Sequence, residues 1–458
     1  MRHHRTRSSS ILKTLHVAGR DPLDHKIWRI AWPAILSNIS IPLLGLVDAG
    51  ILGHLDDSRY LGAVAIGSAL LSFLYWGFSF LRMGTTGRVA RALGAGAPDD
   101  AMLQLFRALV LALGLALMVW VLHPLWLGFG LALMAPAPEL WDLADSYASI
   151  RLASAPAVLA TYAIVGWFIG HQNTRWPMLV LIATNLVNIV LDFVFVVGLG
   201  LHSDGAALAT VIAEYLGFGL AVYGVMRTAG SGLRGMSLAP LYRWREYLAL
   251  LRSNGHLFVR TITLLGAFAF FTAMGEKLGG PTLAANALLM QLLLLTAYGL
   301  DGFAYAVEGL AGSRAGAGDR AGFYHAVRRC GLWCALGAVV LSIAFLLLLQ
   351  PLFALLTSLP EVREILHSHR LWLVILPLVA APTYLLDGVF IGTTGTRDMM
   401  ITMLASALLV YLPVWYVSQP WGNHGLWLSF TLFNAARGLT LYVCYRRLSR
   451  LDSWFRKG

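Results

Sequence analysis

Long apolar stretches follow one another along almost the whole chain, from about residue 28 to residue 446, and only short polar turns separate them. A helix that crosses a bilayer needs about 20 apolar residues, and with its turn each pass takes roughly 38 residues, so the chain accommodates about twelve passes. Charged residues make up 12% of the sequence, whereas a soluble domain carries roughly 25%. The sequence therefore predicts an all-α integral membrane protein with twelve transmembrane helices.

Basic residues are unevenly divided between the turns on the two sides of the predicted bundle. Fourteen arginines, from Arg88 to Arg397, lie in turns on one side, while the opposite turns carry only Arg59, Lys277 and Arg363. Under the positive-inside rule the first side is cytoplasmic, and an even number of spans puts both termini there. The net charge of +11 is spread over short turns rather than gathered on one polar face, so nucleic acid is not a predicted partner.

The chain also repeats itself. The string FIG at residues 168–170 recurs at 390–392, and Thr-Arg follows each copy four residues later, which gives an offset of 222 residues. A repeat of six spans has the same orientation in both halves, so the pseudo-two-fold axis is expected to run along the membrane normal. The predicted order is a cytoplasmic tail (1–26), a first six-helix lobe (27–227), a cytoplasmic linker (228–247), a second six-helix lobe (248–446) and a cytoplasmic tail (447–458).

Polar residues inside the spans of the first half are the most informative ones, because a carboxylate at the bilayer centre costs about 2.5–3.5 kcal/mol. Asp48 lies well inside the first span, after Pro33, which lacks a backbone donor and allows the helix to bend. On the fifth span, the spacing of three and four puts Asn185, Asn188 and Asp192 on one helical face. Such a face can bind a cation or hold a proton, although polar bridging between helices is the other interpretation.

The second half has its own charged residues within the spans. Asp301 and Glu308 lie on the eighth span and Asp387 on the tenth, while Arg82 and Arg260 are the buried bases. For Asp301, Glu308 and the two arginines, the sequence is compatible with internal ion pairs and with a functional role. Asp387 has no obvious local partner, which favours a functional role for this residue.

The sequence shows no pattern that is typical of an enzyme, a metal centre or an ATPase. Most of the thirteen histidines lie at span ends or in turns, without the spacing of metal ligands or of a nucleophile and its base. Cys330 and Cys334 lie four residues apart on one predicted helix and are interpreted as packing residues. The few lysines lie outside any Gly-Lys-Ser or Gly-Lys-Thr loop that could hold phosphates. We therefore predict neither enzymatic activity nor a cofactor.

Several of these patterns resemble the multidrug and toxic compound extrusion (MATE) family. They are Pro33 followed by Asp48, the string FIGHQNT at 168–174, and Asn188 with Asp192. The strings FLRM at 80–83 and LDGVFIG at 386–392 resemble its DinF-like branch. The resemblance covers nearly the whole chain.

The resemblance implies a MATE fold, in which two six-helix lobes form a V around a central cavity that opens alternately to each side of the membrane. It also implies an antiporter, active as a monomer in a bacterial inner membrane and in contact with lipid, that exports small cationic or amphipathic compounds. The exchanged ion would be H⁺, with Na⁺ as the alternative.

Carried over to this sequence, the coupling-ion site of the family falls on Asp48, Asn188, Asp192 and the sixth-span hydroxyl of Thr210, and these are also the residues that a Na⁺ ion would use. The helix-bending proline falls on Pro33. The tenth-span acid of the branch falls on Asp387, whereas the seventh-span glutamate of another branch has no counterpart here.

Two other functions are compatible with a polytopic membrane protein. A flippase for a lipid-linked saccharide would need several buried arginines to hold a pyrophosphate, and the sequence offers Arg82 and Arg260. A channel or sensor that does not transport would need a selectivity constriction or a signalling domain. Export is therefore the predicted function.

Overall fold

The computed structural model describes residues 21–53, 55, 57–230 and 239–455, and within these ranges it contains helices and no strands. Most of the predicted N-terminal tail, the middle of the linker and the last three residues lie outside the described residues. The helix that was predicted to follow the tail begins at Pro22, and the last long helix ends at Arg450.

Twelve helices run through the described residues. They are α1 (Pro22–Gly53), α2 (Ser58–Gly94), α3 (Pro98–Met134), α4 (Pro138–Leu152 and Ala155–Gly170), α5 (Arg175–Gly198), α6 (His202–Ala229), α7 (Trp244–Glu276), α8 (Gly280–Gly316), α9 (Arg320–Leu356), α10 (Pro360–Gly392), α11 (Thr396–Trp421) and α12 (Asn423–Arg450). Nine of them are long and apolar enough to cross a membrane, and the two segments of α4 meet the same criterion when they are taken together. At 1.5 Å per residue, α1 and α12 are about 48 and 42 Å long, which exceeds the roughly 30 Å hydrocarbon core of a bilayer. The predicted all-α fold of twelve membrane helices is confirmed.

Helix α4 is broken in the middle, where its two segments meet at 51°. Pro156 opens the second segment and has no N–H group to continue the hydrogen-bond ladder. The carbonyls near the break are bonded by side chains of neighbouring helices: Trp120 Nε1 donates to the Leu152 oxygen over 2.6 Å, and the Tyr215 hydroxyl donates to the Ala153 oxygen over 2.9 Å. The break is therefore compatible with a membrane interior, where each unbonded backbone group would cost several kcal/mol.

The first half (α1–α6) and the second half (α7–α12) touch backbone to backbone at one end of the bundle, which we call the terminal end because α1 begins and α12 ends there. A Cβ atom at Gly94 of α2 would lie 1.9 Å from the Ser313 carbonyl oxygen of α8. One at Gly316 of α8 would lie 2.1 Å from the Arg91 carbonyl oxygen of α2. Only glycine permits this approach, so the two helices are in direct contact at the terminal end.

Polar contacts reinforce the same end. Asp24 at the start of α1 accepts hydrogen bonds from Arg329 Nε at 3.0 Å and from Trp333 Nε1 at 2.9 Å, both on α9. Arg88 and Arg91 of α2 donate to backbone carbonyl oxygens of α7 and of the turn after α10, over 2.9 and 3.0 Å. The two halves are thus held together where the termini lie.

Candidate functional site

Three helices of the first half bring together the four residues of the predicted ion site. The carboxyl groups of Asp48 on α1 and Asp192 on α5 interact directly with each other. One turn before Asp192, the Asn188 amide donates to the Thr210 hydroxyl of α6 over 3.0 Å, and this hydroxyl donates to the Ala206 carbonyl oxygen over 2.8 Å. Asn188 and Asp192 are 1% and 2% exposed, so this part of the site is sealed from lipid.

The site contains more acceptors than donors. Both carboxyl oxygens of Asp192, Oδ1 of Asp48 and Oδ1 of Asn188 are buried, and no described residue donates a hydrogen bond to them. A buried acceptor without a donor costs about 1–3 kcal/mol. A proton shared by the two carboxyl groups, or a monovalent cation between these oxygens, would remove that cost. Within the described residues no three His, Cys, Asp or Glu side chains are close enough to hold a metal ion together, so a cation here would also need amide or hydroxyl ligands.

A buried ion pair that the sequence did not predict lies beside this site. Arg151 Nη1 on α4 lies 2.7 Å from Glu214 Oε2 on α6, and both side chains are largely buried. Arg151 also acts electrostatically on both Asp48 and Asp192. The sequence contained one signal for this ion pair, which was Glu214, a single acid within the otherwise apolar sixth span.

Two residues predicted for the first half lie beside the ion site rather than in it. The Asn185 amide donates to the Ser40 hydroxyl over 3.3 Å, so it bridges α5 and α1. Pro33 is buried in α1, which continues as one helix through this residue. Asn185 and Asn188 thus each bridge two helices, and Asn188 differs in that its buried amide oxygen has no donor among the described residues.

An ion pair joins the two halves in the interior of the bundle. Arg82 Nη1 of α2 lies 3.0 Å from Glu308 Oε2 of α8, and Glu308 is 1% exposed. The Arg82 guanidinium also lies over the Tyr305 ring, 4.6 Å from its centroid. The ion-pair interpretation is correct for Arg82 and Glu308.

Asp387, which has no local partner in the sequence, is paired with bases from two other helices. Its Oδ2 atom accepts a hydrogen bond from Arg260 of α7 and another, over 3.1 Å, from Arg437 of α12. These arginines are 127 and 50 residues away in sequence, so a search within the tenth span could not find them. Arg260 is therefore paired with Asp387, and neither Asp301 nor Glu308 is its partner. Asp301 forms no salt bridge with any described residue.

A helical membrane bundle with facing buried carboxylates in its interior has the architecture of a membrane transporter, because intramembrane acids mark ion and substrate pathways. The sequence identifies the family. The family model described as MatE matches residues 33–194 and 257–417, one stretch in each half.

Individual relatives agree with this match. The chain is 40% identical over 451 residues to DNA damage-inducible protein F of Escherichia coli, covering 98% of this chain and 97% of that protein. It is 24% identical to a probable multidrug resistance protein NorM of Thermotoga maritima, covering 87% and 86%. Among solved structures, a mutant of the Vibrio cholerae MATE transporter VcmN superposes with a TM-score of 0.83 at 21% identity, covering 94% of this chain and 98% of that one. The chain belongs to the MatE family, and the predicted resemblance to its DinF-like branch is confirmed.

Proposed function

We propose that the protein is a secondary active efflux transporter that exports cationic or amphipathic organic compounds in exchange for protons. The observation that carries the proposal is the facing pair Asp48 and Asp192, whose buried oxygens lack donors from the described residues. The name of the Thermotoga relative, a probable multidrug resistance protein, supports drugs as the exported class. The coupling-ion site in this proposal is Asp48, Asn188, Asp192 and Thr210.

Transport follows from differential binding. A ligand shifts the equilibrium between two conformations only if it binds one of them more tightly. Protonation of the carboxyl pair and binding of the organic compound must therefore favour states that open to opposite sides of the membrane, so that each exit of a drug is linked to an entry of protons.

The proposed organisation has lobes at 27–227 and 248–446, each containing one of the two stretches that match the family model. The arginine bias puts both termini in the cytoplasm, and the Escherichia coli relative supports a bacterial inner membrane. One chain contains both lobes and the carboxyl pair, so we propose that the monomer is functional.

Buried arginines do not favour the flippase alternative. Besides Arg82 and Arg260, the described residues include further arginines with largely buried side chains, among them Arg151 and Arg437. However, Arg82, Arg151 and Arg437 each contact a carboxylate, as does Arg260. An arginine that is already neutralised is a weak binder of a pyrophosphate group.

Ethidium efflux from bacterial cells that express the protein tests the proposal. Wild-type cells are expected to expel the dye, and an uncoupler should abolish the efflux. Asp48→Asn and Asp192→Asn should each abolish it too, because an amide cannot exchange a proton at neutral pH. Asp142→Asn, which changes an exposed acid of α4 by the same charge, is the matched control and should expel dye like the wild type. Full efflux by both site variants at normal expression would disprove the role of the carboxyl pair.

A further inference from the structure

Helices α7 and α11 touch each other near the terminal end of the bundle. The Ser253 and Thr396 hydroxyl oxygens lie 3.4 Å apart, and His256 Nδ1 lies 3.2 Å from the Thr396 hydroxyl. Arg252 comes directly before the serine, and Arg397 comes directly after the threonine, so the two arginines lie at the same level of the two helices. His256 shares the face of Arg252, because residues four apart are neighbours on a helix surface. Three basic side chains therefore lie around one contact between the helices.

Both arginines at this contact are exposed, and neither has a counter-ion within the described residues. Asp398 is the nearest acid on α11, but it follows Thr396 by two residues, about 200° around the helix, so it points away from α7. Glu246 is the nearest acid on α7, and its Oε2 atom lies 3.6 Å from Nη1 of Arg107. In the part of the chain that the structure describes, two positive charges are left uncompensated at this contact.

The two arginines reach the level of the lipid headgroups. At 1.5 Å per residue, Arg252 is about 36 Å from Glu276, the last residue of α7. Arg397 is likewise about 36 Å from Trp421, the last residue of α11. The hydrocarbon core of a bilayer is about 30 Å thick and the whole bilayer about 40–45 Å, so helix segments of this length end in the headgroup layers. Trp421 is exposed, and tryptophan is enriched at that level of a membrane.

Apolar side chains continue the same faces of the two helices towards the middle of the membrane. Val259 follows Arg252 by seven residues on α7 and is 38% exposed. Ile401 and Leu408 follow Arg397 by four and eleven residues on α11 and are 47% and 57% exposed. These spacings keep the apolar side chains on the face of the arginine. A molecule with its charged group at the arginines therefore has an apolar surface beside its remaining part.

This combination fits a phosphate group that is attached to an acyl chain. Guanidinium groups bind phosphate oxygens through paired N–H donors, and basic residues near a membrane surface attract anionic lipids. When Thr396 donates to Nδ1 of His256, the imidazole carries its proton on Nε2, which has no partner among the described residues. Free phosphate would use the same donors, but it would not use the apolar side chains.

We propose that Arg252, His256 and Arg397 bind the headgroup phosphate of an anionic phospholipid whose acyl chain lies along α7 and α11. The site is on the outer surface of the second half, whereas the carboxyl pair Asp48 and Asp192 lies inside the first. It is therefore independent of which compound the protein exports and of which ion is exchanged. The bound lipid bridges α7 and α11 and adds to their direct contact at the terminal end.

Native mass spectrometry of the purified full-length protein, titrated with dioleoylphosphatidylglycerol, tests this site. The wild type is expected to bind one phosphatidylglycerol more tightly than phosphatidylcholine, which has a phosphate but no net charge. Arg252→Gln and Arg397→Gln should each raise the Kd of this lipid about fivefold, and the double variant about 25-fold, since an arginine near a membrane surface contributes about 1 kcal/mol. Arg328→Gln removes an exposed arginine of α9 at the same end, and this matched control should keep the wild-type Kd.

An unchanged Kd for phosphatidylglycerol in the double variant would overturn the site, and so would equal affinity of the wild type for the two lipids. Glycerophosphoglycerol, which is the headgroup without acyl chains, and inorganic phosphate distinguish a lipid from a soluble anion. Neither is expected to displace the lipid, and displacement by either at millimolar concentration would contradict the lipid assignment. Should the double variant not purify as a folded protein, the two single variants decide, and unchanged Kd values in both would exclude the site.

Discussion

The buried carboxylates of this protein differ in whether a base donates to them. Glu308 and Asp387 hold arginines, so their charges are neutralised within the protein. Both carboxyl oxygens of Asp192 are buried without a donor from the described residues. The first kind of acid stabilises a fixed arrangement, whereas the second is suited to bind and release an ion.

Asp387→Asn is expected to destabilise the fold, because it leaves Arg260 and Arg437 buried without their carboxylate. Removing one partner of a buried ion pair costs about 3–5 kcal/mol. The melting temperature of the detergent-purified protein, followed by size-exclusion chromatography after heating, measures this loss. Asp192→Asn is the matched control, since it leaves no arginine without a hydrogen-bonded partner, and it should melt close to the wild type. Equal melting of both variants would contradict the structural role of Asp387.

The sequence could predict parts of the site that lie on one helix, and it failed where partners come from different helices. The spacing of four correctly put Asn188 and Asp192 on one face of α5, because helical geometry fixes such neighbours. Arg151 and Glu214 are 63 residues apart, so no periodicity connects them. The assembly of Asp48 and Thr210 with the α5 face came from the family resemblance, and their role in ion coupling remains a prediction.

At the scale of single helices, corresponding elements of the two halves share a distortion of the backbone. Helix α5 contains a π-helical turn at Phe193–Gly198, and α11, its counterpart after six spans, contains one at Ala407–Tyr411. The first begins directly after Asp192. π-helical turns are rare and often lie at functional sites. Apolar patterning gave the lengths of these helices, but it could not predict the turns, because a lipid-facing side chain stays apolar whichever hydrogen-bond partner its backbone takes.

Pro33→Ala is expected to slow transport with little effect on stability. Pro33 lacks a backbone donor, so α1 loses little energy when it bends there, and alanine restores the donor and stiffens the helix. Drug uptake into proteoliposomes gives the turnover, and the melting temperature reports the fold. Pro351→Ala, which changes a proline within α9, is the control and should keep the wild-type rate. A wild-type rate for Pro33→Ala would argue against a bending role.

At the scale of the whole molecule, the structure is closed at the terminal end. Asp24 binds Arg329 across the two halves there, and the glycine contacts of α2 with α8 lie at the same end. If the arginine bias puts this end in the cytoplasm, the structure corresponds to a state that is closed to the cytoplasm. The number of helices could be predicted because lipid demands a minimum apolar length for each span, and their two-fold organisation because the FIG string recurs at an offset of 222 residues. Which end of the bundle is closed could not be predicted, because it depends on backbone contacts between helices that are distant in sequence.

The choice of coupling ion affects the whole transport cycle. Asp48, Asn188, Asp192 and Thr210 provide oxygen atoms that suit Na⁺ as well as H⁺, but the Thr210 hydroxyl already accepts from Asn188 and donates to Ala206. The oxygen atoms that remain available to the coupling ion are mainly those of the two carboxyl groups and of the Asn188 amide. These groups can share a proton without a fixed coordination shell.

Proteoliposomes that contain the purified protein should therefore transport ethidium when a pH gradient is imposed in sodium-free buffer. Collapsing the gradient with an uncoupler should stop transport, and adding a sodium gradient alone should not restore it, because the facing carboxyl groups of Asp48 and Asp192 are proposed to exchange a proton. Liposomes with Asp192→Asn are the control for leakage of the dye and should show no gradient-dependent transport. Activity that depends on sodium and ignores the pH gradient would exclude the proton as the coupling ion, while the four residues would remain the proposed site.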